Sequence, residues 1–239
     1  MEIGTMVGML SNGFVMTLQI FFLTLIGSVP LGVIVALGRM NTWAPFKFLE
    51  AHKKKSGFTH WLANFAPLAA LMRIYISIMR GTPLMLQMFA IYFAPYYVFG
   101  MELSPDSKFN ACIIAFIINY AAYFAEIYRG GIQAVPRGQY EAASVLGYSR
   151  VQTFFRIVLP QVTKNILPAM GNEIITLVKD TSLAFAIGVA EMFSVAKALV
   201  ASQANMFPFV IAALFYWIFN FLVEIILNFA EKKMNYYHD

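Results

Sequence analysis

What most limits the fold of this chain is a succession of apolar stretches, each long enough to cross a lipid bilayer as a helix. A helix needs roughly 20 mostly apolar residues to span the hydrocarbon core, where every backbone polar group must be paired within the protein. The first stretch covers about residues 12–38 and ends at Arg39. It carries Gly27, Ser28, Pro30 and Gly32. Small residues suit close helix packing, and the proline favours a kink. Four more stretches lie at about 82–99, 109–127, 168–190 and 208–230. The expected fold is an all-α membrane protein, a single domain over residues 1–239 with five transmembrane helices.

Composition agrees. The chain is 60% hydrophobic and only 12% charged, whereas a soluble domain is about one quarter charged. The net charge of +5 sits mostly in the loops, so it speaks for orientation in a bilayer and not for nucleic acid. The amino terminus lacks the basic region and small-residue cleavage site of a signal peptide and is read as the first span. Cys112 is the single cysteine, so no internal disulfide forms. His52, His60 and His238 are scattered, without metal-ligand spacing, and no metal site is expected.

Residues 41–79 fit the pattern less well. Lys53-Lys54-Lys55 and Gly57 make a basic connection, and residues 61–79 are amphipathic but interrupted by Pro67 and Arg73. A lipid-facing arginine costs about 2.5–3.5 kcal/mol even on lenient insertion scales. An interfacial helix with Trp61 and Arg73 at headgroup level is therefore preferred to a sixth span. Next, Arg80-Gly81-Thr82-Pro83 reads as a helix start, with Thr82 as N-cap and Pro83 in the first turn. Glu191, Lys197 and Gln203 are expected in a loop, and Pro208 opens the last span.

Five spans put the termini on opposite sides. If the polar stretch 136–160 is cytoplasmic, all of the 17 basic residues except Lys108, Lys179 and Lys197 lie inside or at that interface. That bias orients the chain with its amino terminus outside and its carboxyl terminus in the cytoplasm.

Polar residues at membrane depth are expensive and therefore candidates for function. Asn119, Tyr123 and Glu126 share one helix face by their spacing, as do Asn172, Thr176 and Asp180, with Glu173 and Lys179 flanking, and Asn220, Glu224 and Asn228. Three polar faces predict a wet interior through which a polar solute passes. The alternative is interhelical hydrogen bonding, worth about 0.6 kcal/mol per contact. Glu126 and Glu224, nearer the helix ends, fit a structural role better.

Between Pro136 and Pro160 lies a polar module that reads as two short helices. Gly147 permits a positive φ between them. Ser149 and Gln152 form a capping box for the second, and Pro160 is expected to end it. A plain connection between spans needs far fewer residues.

Here the chain resembles a family. Glu141-Ala142-Ala143, three residues, Gly147, nine residues and Ile157-x-Leu159-Pro160 match the EAA motif of ATP-binding-cassette importer permeases. Arg80-Gly81-Thr82-Pro83-Leu84 with Gln87, Asn119-Tyr120-Ala121 with Glu126, and Lys179-Asp180-Thr181-Ser182-Leu183 resemble the polar amino acid branch, the histidine/glutamine/arginine type. The stretch 41–72 is longer than that branch leads one to expect.

The resemblance implies a type I importer transmembrane domain in a bacterial cytoplasmic membrane. The helix carrying Glu141, Ala142, Ala143 and Gly147 would be a coupling helix docking on a cytoplasmic ATPase dimer, with Glu141 meeting a basic group there. ATP and magnesium would bind that partner, and this chain would hold no cofactor. An extracytoplasmic solute-binding protein would deliver the solute. A second permease subunit, identical or related, would complete a pathway to which Asn119, Tyr123, Glu126, Thr176, Asp180, Thr181 and Ser182 contribute. No GxxxxGK[ST] loop is present, so the chain is not expected to hydrolyse ATP. An intramembrane enzyme is disfavoured, since no histidine and only one aspartate lie in the assigned spans. A simple channel leaves the module unexplained. Transport of another small polar solute is the near alternative.

Overall fold

The computed structural model describes residues 3–45, 47, 64–102, 104–105 and 107–234, and each regular element among them is helical. Helix α1 (Ile3–Arg39) is one helix of 37 residues that continues through Pro30. After it come α2 (Pro67–Gly81), α3 (Leu84–Phe99), α4 (Ser107–Ala134) and α5 (Arg137–Val145). Helix α6 (Arg150–Thr153) passes through one wide π turn, Phe154–Val158, into α7 (Leu159–Asp180). A 3-10 stretch, Thr181–Ile187, leads to α8 (Met192–Gln203) and α9 (Phe207–Met234). Among the described residues, three helices, α1, α4 and α9, are long and apolar enough to cross a membrane. Two bent pairs raise the number to five if each counts as one span: α2 with α3, at 109°, and the α6–α7 run with α8, at 57°.

The centre of the bundle is the α1–α4 pair. Gly13, Thr17, Thr24, Ser28 and Gly32 of α1 are all buried. A Cβ on Gly32 would lie 2.8 Å from the Phe124 Cβ, so the two backbones approach as small-residue faces allow. Around this pair Phe116, Tyr120, Phe124, Met88, Leu177 and Val178 form the largest apolar core. Aromatic α9 closes one flank but turns Trp217, Phe221, Ile225, Ile226 and Phe229 outward, as a lipid-facing helix does.

Several boundaries differ from the sequence reading. Pro67 opens α2 instead of interrupting it, because a proline costs nothing in the first turn. Trp61, the Lys53–Lys55 run and the three histidines lie outside the described residues. Thr82 does not cap α3; Pro83 stands at that position, and the Thr82 hydroxyl donates back to the Ile78 carbonyl of α2. Helix α4 runs past the expected end near residue 127 to Ala134, and its Gly131 faces Ile166 of α7. The stretch expected as a loop around Lys197 is helix α8, whose Met192, Ala196 and Leu199 are buried against Met6, Leu10, Ile211 and Ala212. Finally, Pro160 does not end a helix. The chain is helical from Arg150 to Asp180, and the wide turn just before Pro160 gives its ring the room that the carbonyl four residues back would otherwise occupy.

Candidate functional site: a mid-bundle carboxylate and an exposed hairpin

Polar residues of α4 and α7 come together in one cluster. The Tyr120 hydroxyl donates to Asp180 Oδ2 at 2.8 Å. Asp180 is the last residue of α7, where the helix tightens into the 3-10 stretch. Tyr123 lies beside Tyr120, ring centroids 6.1 Å apart. The Arg80 guanidinium stands 5.3 Å from the centroid of the Tyr123 ring, a cation–π arrangement. Glu173 interacts electrostatically with both Arg80 and Asp180. Two carboxylates, an arginine and two phenols thus share one region between α2, α4 and α7.

Thr176 is exposed on α7, its hydroxyl bonded to the Asn172 carbonyl. Ser182 is half-buried and donates to the Lys179 carbonyl. Lys179 is exposed, and among the described residues no ion pair joins it to Glu173. Thr181 is fully buried, with its hydroxyl on the Val178 carbonyl.

Asn119 and Glu126 serve elsewhere. The Asn119 amide donates to the Met79 carbonyl and to Gln87 Oε1, both at 3.0 Å. The Gln87 amide in turn donates to the Met79 and Thr82 carbonyls and to the Thr82 hydroxyl. These bonds clasp the break between α2 and α3, satisfying the carbonyls that end one helix. Glu126 receives Arg39 of α1 at 3.1 Å and Arg129 of its own helix at 2.7 Å, with Arg80 of α2 at 4.0 Å. One carboxylate of α4 therefore ties the ends of α1 and α2 to that helix.

Two groups escaped the sequence reading as site residues. Tyr120 lies one position off the Asn119 stripe, but a tyrosine within an apolar helix needs a partner for its hydroxyl, and that signal was available. Glu191, expected in a loop, is 0% exposed. Its carboxylate accepts the Phe193 and Ser194 amides at 2.6 and 2.7 Å and the Tyr216 hydroxyl at 3.2 Å. It caps α8 where the helix dipole favours a negative charge.

The hairpin α5–α6 lies at the other end of α7. Its turn is a Schellman motif: the Tyr148 amide donates to the Ala143 carbonyl, the Gly147 amide to the Ser144 carbonyl, and Gly147 has φ 77°. The predicted capping box is present, with Ser149 and Gln152 bonded reciprocally. Ala143 is fully buried, which seats α5 on the protein. Glu141, Ala142 and Gly147 face outward. Val145 and Leu146 are 87% and 73% exposed. A rigid turn that exposes adjacent large apolar side chains beside a carboxylate is shaped to be covered by another protein.

The chain is similar to known proteins over nearly its whole length. The family described as binding-protein-dependent transport system inner membrane component matches residues 56–236. The L-cystine transport system permease protein of Bacillus subtilis is 34% identical over 230 residues, covering 95% of this chain and 87% of the relative. The arginine transport system permease protein of the same organism is 33% identical over 224 residues, covering 93% and 91%. A crystal structure of an amino acid ABC transporter with histidines contains a similar chain, with 31% identity, a TM-score of 0.78 and coverage of 98% and 99%. The chain belongs to the family of binding-protein-dependent transport system inner membrane components, the non-enzymatic membrane subunits of ATP-binding-cassette importers, whose ATPase is a separate partner.

Proposed function

We propose that this chain is the permease subunit of an ATP-driven importer of polar amino acids and supplies half of the translocation pathway. The observation that carries this reading is the placement of Asp180, bonded to Tyr120, at the far end of the same helical run that begins at the exposed hairpin. The similar proteins named for L-cystine and arginine transport support the solute class.

In this reading Asp180, Tyr120, Tyr123, Thr176 and Ser182 meet the solute, while Asn119, Glu126 and Thr181 hold the helices that present them. An Asp180 carboxylate favours solutes bearing a cation. Glu141, Ala142, Ala143 and Gly147 form the coupling surface for the cytoplasmic ATPase dimer, which binds ATP and magnesium. A solute-binding protein delivers the amino acid from outside. The amino terminus faces out and the carboxyl terminus faces the cytoplasm, as the basic residues favour. Two subunits, identical or related, enclose the pathway, and the exposed polar face of α7 at Asn172, Thr176 and Lys179 suits such a covered position better than lipid.

The test is reconstitution of the chain with its ATPase and binding protein in vesicles. ATP-dependent uptake of labelled arginine, histidine, glutamine or cystine is the expected result. ATP turnover without uptake of any amino acid would overturn the solute class. Failure of the ATPase to bind membranes carrying this chain would overturn the coupling role.

A further inference from the structure

At the hairpin end of the bundle, away from Asp180, a cleft of about 300 Å³ opens between α7 and α9. Lys164 from α7 and Lys232 from α9 line it, joined by the Asn228 amide and the Glu231 carboxylate. Leu167, Pro168 and Met234 supply its apolar wall. Beside the cleft the two helices are in ordinary contact: a Cβ on Gly171 would lie 3.5 Å from Leu227 and 3.9 Å from Glu231 Oε1.

What surrounds the cleft says what fills it. Only 17% of the most apolar part of α9 is buried, and Leu222, Ile225, Ile226 and Phe229 turn outward just before the cleft. The cleft therefore continues an apolar, lipid-facing flank and lies at the helix terminus, headgroup depth for a helix that crosses the bilayer. Two lysines are point-charge ligands for phosphate. A basic cleft between membrane helices with an apolar wall has the chemistry of an anionic headgroup site. Lys164 and Lys232 would hold the phosphodiester and Asn228 would donate to its ester or glycerol oxygens. Glu231 would accept a headgroup hydroxyl, and Leu167 and Met234 would flank the first acyl carbons. Lys164 lies 16 residues before Asp180, roughly 24 Å along the helix at 1.5 Å per residue, so this is not the solute site.

We propose that the α7–α9 cleft binds one anionic glycerophospholipid by its headgroup, with Lys164 and Lys232 as the phosphate ligands. The inference holds whichever solute the importer carries.

The test is native mass spectrometry of the purified, full-length chain equilibrated in micelles with equal phosphatidylglycerol and phosphatidylcholine. The unaltered chain is expected to retain phosphatidylglycerol preferentially. The Lys164→Gln/Lys232→Gln variant should lose that preference by on the order of thirtyfold, from about fivefold per lysine. Lys233→Gln, outside the cleft lining, should leave it unchanged, and so should Lys164→Arg/Lys232→Arg. Three results would overturn the proposal: no preference in the unaltered chain, as when a second copy covers the cleft; a preference that survives the glutamine pair; or loss of it in the arginine pair despite retained charge. Release of the lipid by millimolar inorganic phosphate would also overturn it, identifying a free-phosphate site instead.

Discussion

The Tyr120 hydroxyl donates to the Asp180 carboxylate at 2.8 Å, joining α4 to the end of α7 across 60 residues of sequence. This bond fixes which way the mid-bundle carboxylate points. Replacing Asp180 by Asn is expected to lower uptake of lysine, arginine and histidine by about tenfold or more, the scale of a charged hydrogen bond, and to lower glutamine uptake less. Tyr120→Phe keeps the charge but frees it to turn, and should raise the apparent KM for the cationic amino acids with a smaller change in maximal rate. Competitive uptake in reconstituted vesicles reads both. Unchanged transport of all three cationic amino acids in Asp180→Asn would leave Asp180 with a structural role only.

Glu126 is the meeting point of Arg39, Arg80 and Arg129. Glu126→Gln leaves three guanidinium groups facing one neutral amide. The expected loss is about 1–3 kcal/mol, because the carboxylate is only partly buried and solvent screens the rest. Arg39→Gln should cost less, and the double variant less than the sum of the two, since both changes remove the same contact. Thermal unfolding of the detergent-solubilised chain measures each.

At the hairpin, Gly147 has φ 77° and open space around it, with nothing within 4 Å of a Cβ placed there. Gly147→Ala therefore meets strain, about 1–2 kcal/mol, but no collision. The chain should still fold and insert, while recruitment of the ATPase to membranes falls. Glu141→Ala should weaken recruitment with no effect on thermal stability, because Glu141 is exposed and makes no ion pair among the described residues.

Gly13 is the opposite kind of glycine. A Cβ there would come within 2.9 Å of the Met192 Cα, which is backbone and cannot swing away. Gly13→Ala should separate α1 from α8 at a cost of about 1–3 kcal/mol, as overpacking does. Gly4→Ala, on the same helix with nothing within 4 Å, should be neutral. Comparing their unfolding midpoints separates packing from helix propensity.

Glu191→Gln keeps the shape of the cap but removes its charge from the start of α8. A loss of about 0.5–2 kcal/mol is expected. Tyr216→Phe removes only the 3.2 Å bond to the same carboxylate and should cost less. If both leave the unfolding midpoint unchanged, the Glu191 cap contributes nothing to the packing of α8 on α1 and α9.

What could be read in the residues was what depends on near neighbours. The Ser149–Gln152 capping box, the left-handed Gly147 and the close-packing role of Ser28 and Gly32 are local or one-face properties, and the structure contains each. Helix α8 escaped although Met192, Ala196 and Leu199 share one face at i, i+4, i+7 spacing; its 12 residues are too few to read as a span. Asn119 sits on the face that its spacing predicts, yet its partners are the Met79 carbonyl and Gln87, and only the turn at Gly81–Pro83 brings them within reach. Pro160 was read as a stop because a regular helix cannot hold it, and the one irregular turn that accommodates it leaves no mark of its own among Phe154–Val158.

That turn has a mechanical consequence. Because Phe154–Val158 joins α6 to α7 without a break, the base of the hairpin and Asp180 are the two ends of one continuous helical run, 30 residues apart and roughly 45 Å along its axis at 1.5 Å per residue. A tilt of about 5° over that length carries the far end through about 4 Å, more than the length of the bond that Tyr120 makes to Asp180. If the hairpin docks on the ATPase as proposed, small rotations imposed there would reach the Tyr120–Asp180 bond through this continuous helical run.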